Sequence, residues 1–265
     1  TFLYYFCPEC FKQYRAMKKV QNAEYKYERD KHPVREVHNV KNGWSPEKKN
    51  GIRYREYTSY DEYITHQKQK LEEKLKIKGG FSRKELFAYR LKFFRRFRSL
   101  PRFVAKSATI LCAGARQGTE VEVLRDLGYH NAYGIDLNPG PENPFVRHGD
   151  FMRLENADSS VDMIYSNCVD HAFDLESFFK EHARVLNPDG YVLYDIGIQK
   201  SAAFEAVDWD SEEIVFTLML RYFQSVLMVH TETHWKWVLL RGKRVAEPLG
   251  THEGCSSSEG QGLSA

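Results

Sequence analysis

The apolar positions of the chain change rhythm near residue 107. Beyond it, short β-rich runs alternate with stretches of helical periodicity. Thr109 to Ala113 is a continuous apolar run, which predicts a buried strand. Glu120 to Leu127 follows as a helix, closed by Gly128. Strands are predicted over Ala132–Leu137, Phe145–His148 and Val161–Ser166. A helix spans Asp174–Leu186 and is stopped by Asn187-Pro188-Asp189-Gly190; a strand over Tyr191–Ile196 comes next. Ser211–Tyr222 reads as helix, and Ser225–Thr231 and Trp235–Arg241 as two closing strands. Seven strands alternating with helices predict an α/β fold: a doubly wound, mostly parallel seven-stranded sheet covered on both faces.

The first 106 residues follow a different pattern. Helical spacing connects Tyr60, Tyr63, Ile64, Gln67, Leu71 and Leu75, and the helix is placed over 52–78. Thr58 or Ser59 caps it, with Asp61 and Glu62 in the first turn. A second helix runs from Ser82 to Arg98, opened by the capping-box sequence Ser82-Arg83-Lys84-Glu85. Periodicity is weak before residue 50, where only Phe11–Val20 suggests a short helix. Three regions follow: a mainly helical extension over 1–106, a catalytic domain over 107–245, and a Ser/Gly-rich tail over 246–265 that reads as disordered.

Charge sharpens this division. Residues 1–106 hold 27 Lys+Arg against 12 Asp+Glu, and residues 107–265 hold 12 against 24. The basic half meets either the acidic half of its own chain or an anionic partner. Its second helix interleaves Arg83, Lys84, Arg90, Lys92, Arg95, Arg96 and Arg98 with Phe87, Tyr89, Phe93, Phe94 and Phe97. That composition suits nucleic acid, an anionic membrane surface, or an amphipathic helix whose rings pack inward. No apolar run reaches the 18 residues of a spanning helix. Five irregularly spaced cysteines are not a disulfide framework and point to a reducing, cytoplasmic setting. Cys7-Pro8-Glu9-Cys10 is half of a zinc site; His32 and His38 are loose candidates for the rest. No metal ligand is assigned.

The chemistry concentrates after the first predicted strand, in Cys112-Ala113-Gly114-Ala115-Arg116-Gln117-Gly118-Thr119-Glu120. Glycines in a strand-to-helix turn let backbone approach a ligand, and the helix start offers free N–H groups to an anion. Asp136, eighteen residues after Gly118, ends the next strand, where a carboxylate can accept from both ribose hydroxyls of a nucleoside. Together these segments resemble the class I S-adenosylmethionine (SAM)-dependent methyltransferases over about residues 107–241. The resemblance implies a SAM site built from Ala113, Gly114, Ala115, Arg116, Gly118 and Glu120, with Asp136 and Leu137 at the ribose. His148-Gly149-Asp150-Phe151 resembles the segment whose Asp contacts the adenine amino group and whose next residue flanks the ring. Ser166 and Asn167 fall in the motif beside the methyl donor. Arg184-Val185-Leu186-Asn187-Pro188-Asp189-Gly190 resembles a structural turn of the family. Cys112 stands where the family has an acidic residue, and Arg116 where it has a glycine. Glu120 can stand in for the missing carboxylate, and Arg116 can pair with the carboxylate of SAM.

The donor is already activated, so the protein must align an acceptor and, for an oxygen acceptor, take its proton. Asp170 and His171 follow the fourth strand. His171 is the candidate base because its ordinary pKa lies near neutrality; packing against the cofactor is its other reading. Cys168 reads as a buried small side chain. Tyr54, Tyr57, Tyr60 and Tyr63 are expected in an acceptor pocket or lid. The implied activity is methyl transfer to oxygen or nitrogen of a small molecule or glycan. RNA or protein held by the basic region is an alternative acceptor, and a degenerate binding protein a third reading.

Overall fold

The computed structural model describes residues 43–78, 82–140, 143–197, 204–232 and 235–244, with backbone alone for 71–78. The expected helix at 11–20, the Cys7–Cys10 pair with its histidines, and the tail from 246 lie outside these residues. In chain order the elements are β1 (Ile52–Tyr54), α1 (Tyr60–Lys78), α2 (Arg83–Phe97), β2 (Ile110–Ala113), α3 (Thr119–Asp126), β3 (Ala132–Asp136), β4 (Val146–His148), β5 (Val161–Ser166), α4 (Leu175–Val185), β6 (Leu186–Gly197), β7 (Val207–Trp209), α5 (Glu212–Tyr222), β8 (Phe223–Thr231) and β9 (Trp235–Lys243). Seven strands form one sheet in the order β4-β3-β2-β5-β6-β9-β8. Neighbours from β4 to β6 run parallel, and β9 lies antiparallel to both β6 and β8. The order reverses between β2 and β5, so their carboxyl ends border the crevice where sheets of this kind bind ligands.

Strand alternation assigns each face its helices. Ile110 and Cys112 of β2 face a layer holding Phe93 and Phe97 of α2 with Val121 and Leu124 of α3. Leu111 and Ala113 face the opposite layer, with Phe178 and Phe179 of α4 and Val215 and Met219 of α5. The basic helix α2 is therefore part of the sheet's own packing. Its start is the expected capping box: Ser82 Oγ accepts from Glu85 N–H at 3.2 Å, and Ser82 N–H donates to the Glu85 carboxylate at 2.8 Å.

An ion pair locks α2 to the sheet. Arg96 and Asp195 of β6 have side chains with 0% exposure, and Arg96 Nε donates to Asp195 Oδ1 at 2.7 Å. The Tyr165 hydroxyl donates to Asp195 Oδ2 at 3.3 Å, and the guanidinium lies 4.8 Å from the Trp237 ring centroid. Burial works against the Arg96 charge, but Asp195 and Tyr165 outweigh it and raise the pKa above its ordinary value. Nearer the surface, Arg90 bonds Glu122 and Asp126 of α3, Lys48 bonds Asp210, and Arg53 bonds Asp208 at 2.8 Å. The basic half meets the acidic half of its own chain.

Two elements differ from expectation. The first helix begins at Tyr60, not residue 52. Ile52–Tyr54 instead pairs antiparallel with Val207–Trp209, making a second, two-stranded sheet. Its pairing partner lies 155 residues away in sequence, so no local pattern reveals it. Ser59 Oγ accepts from Glu62 N–H at 3.2 Å, which explains where the helix starts. The Asn187-Pro188-Asp189-Gly190 segment does not separate helix from strand as a free turn. Leu186 pairs with Val161 and Tyr191 with Met163, so the four residues bulge within β6.

At the outer edge, β8 carries exposed Val226, Leu227 and Val229, and its register shifts between Val226 and Met228. None of the described helices is long and apolar enough to cross a membrane.

Replacing Arg96 with Met leaves Asp195 buried without its cation. Chemical denaturation should show a loss of about 3–5 kcal/mol. The double variant Arg96→Met/Asp195→Leu should regain most of it. A single variant as stable as the parent would show that the pair does not hold α2.

Candidate functional site

The site begins where β2 ends. Gly114 and Ala115 both donate N–H bonds to Ile135 O, at 3.0 and 2.9 Å. These bonds clamp the turn against β3 just before Asp136. Gly114, Arg116 and Gly118 have φ of 78°, 48° and 86°. A Cβ on Gly114 would lie 2.7 Å from Cys168 Sγ, so the glycine is needed for both its backbone conformation and the close approach of β5's end. Arg116 takes the left-handed conformation at a cost of order 1 kcal/mol. An offsetting bond runs from its N–H to Asp136 Oδ2 at 2.8 Å.

Asp136 receives a second N–H, from Asn138 at 2.9 Å on Oδ1. Each carboxylate oxygen thus retains accepting capacity. Asp150 follows β4 and accepts from Met152 N–H at 2.8 Å and from the Tyr60 hydroxyl at 2.5 Å. Phe151 is buried edge-on against Phe178. Leu137 is half-buried beside Asp136. Across the switch point Ser166 pairs with Ala113. Ser166 Oγ accepts from Cys168 N–H at 3.2 Å, and Asn167 Oδ1 accepts from the Cys168 thiol at 3.2 Å.

Cys112 points into the α2–α3 layer, where burial and then Glu120 push its thiol well above the ordinary range. Glu120, 3% exposed, sits in the same neighbourhood. Burial raises its carboxyl to about 7, against the pull of Arg116. The Arg116 guanidinium lies 5.1 Å from the Tyr89 ring centroid. Burial opposes its charge, while Tyr89 and Glu120 support it and raise its pKa. A shallow cleft opens on this turn, lined by Leu86 and Tyr89 of α2 and by Ala115, Arg116, Gln117 and Glu120.

On the other side of the switch point, Val169–His171 forms a single 3-10 turn. Asp170 is half-buried, and burial raises its carboxyl pKa. His171 is 6% exposed. Its Nδ1 lies 2.8 Å from Phe204 O and its Nε2 lies 2.7 Å from Lys70 Nζ. Burial, then the nearby Lys70 charge, hold its pKa well below the ordinary value. The ring's lone pair is therefore already engaged by Lys70, which argues against His171 as the base. Asp170, His171 and Glu205 bring ligand-type atoms within 4.8 Å of one another. Neither Lys70 nor Glu205 stood out in the sequence, because both reach the site from distant segments. Of the four tyrosines, Tyr60 reaches Asp150, and the Tyr63 hydroxyl donates to His171 O at 3.0 Å. Tyr57 bonds His66 at 2.8 Å, and Tyr54 lies in β1.

These groups suit an S-adenosyl ligand. Asp136 offers acceptors for a diol, Asp150 for an exocyclic amine, Arg116 a cation for a carboxylate, and Glu120 a carboxyl group as acceptor for an ammonium.

Residues 111–194 match the family model described as a methyltransferase domain. A solved relative in fold is the 1,6-didemethyltoxoflavin-N1-methyltransferase of Burkholderia thailandensis, determined with 1,6-didemethyltoxoflavin and S-adenosylhomocysteine. It is 14% identical, with a TM-score of 0.56, and the match covers 78% of this chain and 98% of that one. A SAM-dependent methyltransferase from Aquifex aeolicus is 18% identical with a TM-score of 0.47, covering 61% and 98%. No curated protein sequence matches the chain. Residues 111–194 carry a methyltransferase domain, and the sheet around them has the class I methyltransferase fold.

Glu120 supplies a pH test. Its folded pKa, about 7, exceeds the ordinary carboxylate value, so the folded state binds the extra proton. That stabilisation is present below the unfolded pKa and is lost as pH rises through about 7. Glu120→Gln should therefore unfold at the same denaturant concentration as the parent near pH 4. At pH 8 it should be more stable, by on the order of 3 kcal/mol. Equal midpoints at both pH values would rule out the buried carboxyl as the cause.

Proposed function

We propose that this methyltransferase domain transfers a methyl group from SAM to an oxygen or nitrogen atom of a small molecule or glycan. The observation that carries this reading is the roof over the strand ends. Helix α1 sends Tyr60 to Asp150, Tyr63 to His171 O, and Gln67 to Phe204 O at 2.9 Å. Helix α2 places Tyr89 over Arg116. Strand ends covered by two helices in this way favour a small acceptor over a polymer. The alternative of RNA held by the basic half loses weight because Arg53, Arg90 and Arg96 of that half are engaged by Asp208, by Glu122 and Asp126, and by Asp195.

SAM supplies an electrophilic methyl group on a sulfonium. The chain's own part is to bind, orient and manage a proton. Asp136 and Leu137 would hold the ribose, Asp150 and Phe151 the adenine, and Arg116 with Glu120 the amino-acid end. Ala113, Gly114, Ala115 and Gly118 shape the backbone around it, and Ser166 and Asn167 border the donor. Asp170 replaces His171 as the proposed proton acceptor. Burial favours the protonated form of its carboxyl, which brings its proton affinity closer to that of an acidic hydroxyl. His171 orients a neighbour instead. We place the enzyme in a reducing, cytoplasmic compartment on the strength of its irregular cysteines.

Isothermal titration calorimetry with SAM and S-adenosylhomocysteine tests the donor site. Micromolar binding is expected, weakened at least about tenfold by Asp136→Ala, the loss of roughly 1.4 kcal/mol or more. No binding of either compound by the parent chain would overturn the enzymatic reading in favour of a degenerate fold.

A further inference from the structure

His171 carries more information than its burial. Phe204 O can only accept, so Nδ1 of the ring must carry the hydrogen of their 2.8 Å bond. A buried neutral ring then has its lone pair on Nε2, and the partner at 2.7 Å is the Lys70 ammonium, which can only donate. The backbone carbonyl thus fixes the tautomer, and the tautomer fixes the lysine. Lys70 rises from an exposed position on α1 and turns its tip inward.

The ammonium uses one of its three donors on His171. Among the described residues it has no carboxylate within 4.0 Å and no second hydrogen bond. Asp170 Oδ1 lies 3.9 Å from His171 Nε2, and Asp170, His171 and Glu205 keep their ligand-type atoms within 4.8 Å of one another. The nearest partner of this cation is a neutral ring, beside carboxylates it does not touch. His171 lies in the turn that follows β5, three residues beyond Cys168, whose Sγ approaches Gly114 O to 3.6 Å. Lys70 therefore stands on the acceptor side of the switch point, and Arg116 on the donor side.

We propose that Lys70, held by His171, binds the acceptor's reacting oxygen and that this oxygen is anionic when it reacts, as a carboxylate or an ionised acidic hydroxyl. The proposal rests on the methyl-transfer reading and narrows its acceptor. Alkylating an amine builds positive charge on nitrogen, which an adjacent ammonium opposes. Alkylating an oxyanion removes the negative charge that the ammonium holds in place. For a hydroxyl acceptor the proton passes to Asp170. The oxygen lone pair then forms the new O–CH3 bond as the sulfonium S–CH3 bond breaks and sulfur leaves as a neutral thioether. A carboxylate acceptor reacts without the proton step. Lys70 is a binding residue in this scheme, and His171 a positioning residue that acts through it.

The aromatic rings of Tyr57, Tyr60, Tyr63 and Phe173 pack together beside the same turn, with Tyr63 and Phe173 centroids 5.2 Å apart. Aromatic probes are therefore used. The full chain, loaded with S-adenosylhomocysteine, is titrated with benzoate, with neutral benzamide and with cationic benzylamine. Benzoate should bind at least tenfold more tightly than either. Lys70→Met should cost benzoate about tenfold, Lys70→Arg less, and neither should change S-adenosylhomocysteine affinity by more than about twofold. Equal binding of benzoate and benzamide, preference for benzylamine, or an unchanged Lys70→Met would overturn the proposal. The titrations are repeated without S-adenosylhomocysteine. Failure of that compound to bind would then count against the donor site, while the Lys70 comparison still stands. Imidazole nitrogen NMR gives an independent readout: His171 should remain the neutral Nδ1–H tautomer from pH 5 to 8, with its Nε2 resonance displaced in Lys70→Met. Protonation of the ring within that range would also overturn the arrangement.

Discussion

The architecture depends on one desolvated ion pair. Arg96 and Asp195 are both removed from water, and neither charge would be tolerated there alone. Because the partners come from α2 and β6, the pair fixes a helix outside the strand–helix alternation onto the centre of the sheet. Once α2 is seated, Tyr89 reaches Arg116 and the cleft beside the glycine turn acquires its second wall. The contrast in charge between the two halves of the chain is, to this extent, an internal docking code. Surface pairs such as Arg53–Asp208 contribute little stability individually, but they favour the same orientation.

The candidate site repeats the logic at smaller scale, with backbone positions fixed before side chains. Ile135 O holds the turn through two N–H groups, and Asp136 captures a third from Arg116. Phe204 O sets the protonation of His171, which in turn seats Lys70. Groups that would be ordinary alone acquire defined roles because a carbonyl or an N–H leaves them one arrangement.

Much of this was readable from sequence, for identifiable reasons. Strands β2, β3 and β5 announce themselves because both sheet faces are covered, which makes them short apolar runs. The glycine turn and Asp136 are legible because their spacing is local to one strand–helix–strand unit. The capping box at Ser82 is local too. What escaped notice is contact between distant segments. The pairing of Ile52–Tyr54 with Val207–Trp209 looks like helix when read locally. Arg96 is one of many cations on α2, and no periodicity marks it as the buried one. His171 suggested a base because its ordinary pKa is suitable. Its Phe204 and Lys70 contacts, which change that role, join residues 33 and 101 positions away.

The outer edge of the sheet has a different consequence, for how copies of the molecule behave in a crowd. Among the described residues no strand pairs with the outer side of β8, and an edge with exposed Val226, Leu227 and Val229 is the usual template for edge-to-edge polymerisation. Here the register shift at Leu227 breaks that template in the middle of β8. Two such edges brought together can match hydrogen bonds on one side of the bulge or the other, but not along the whole strand. An irregularity of this kind works against a sticky border becoming a zipper, by interrupting the continuous row of donors and acceptors that edge-to-edge pairing needs.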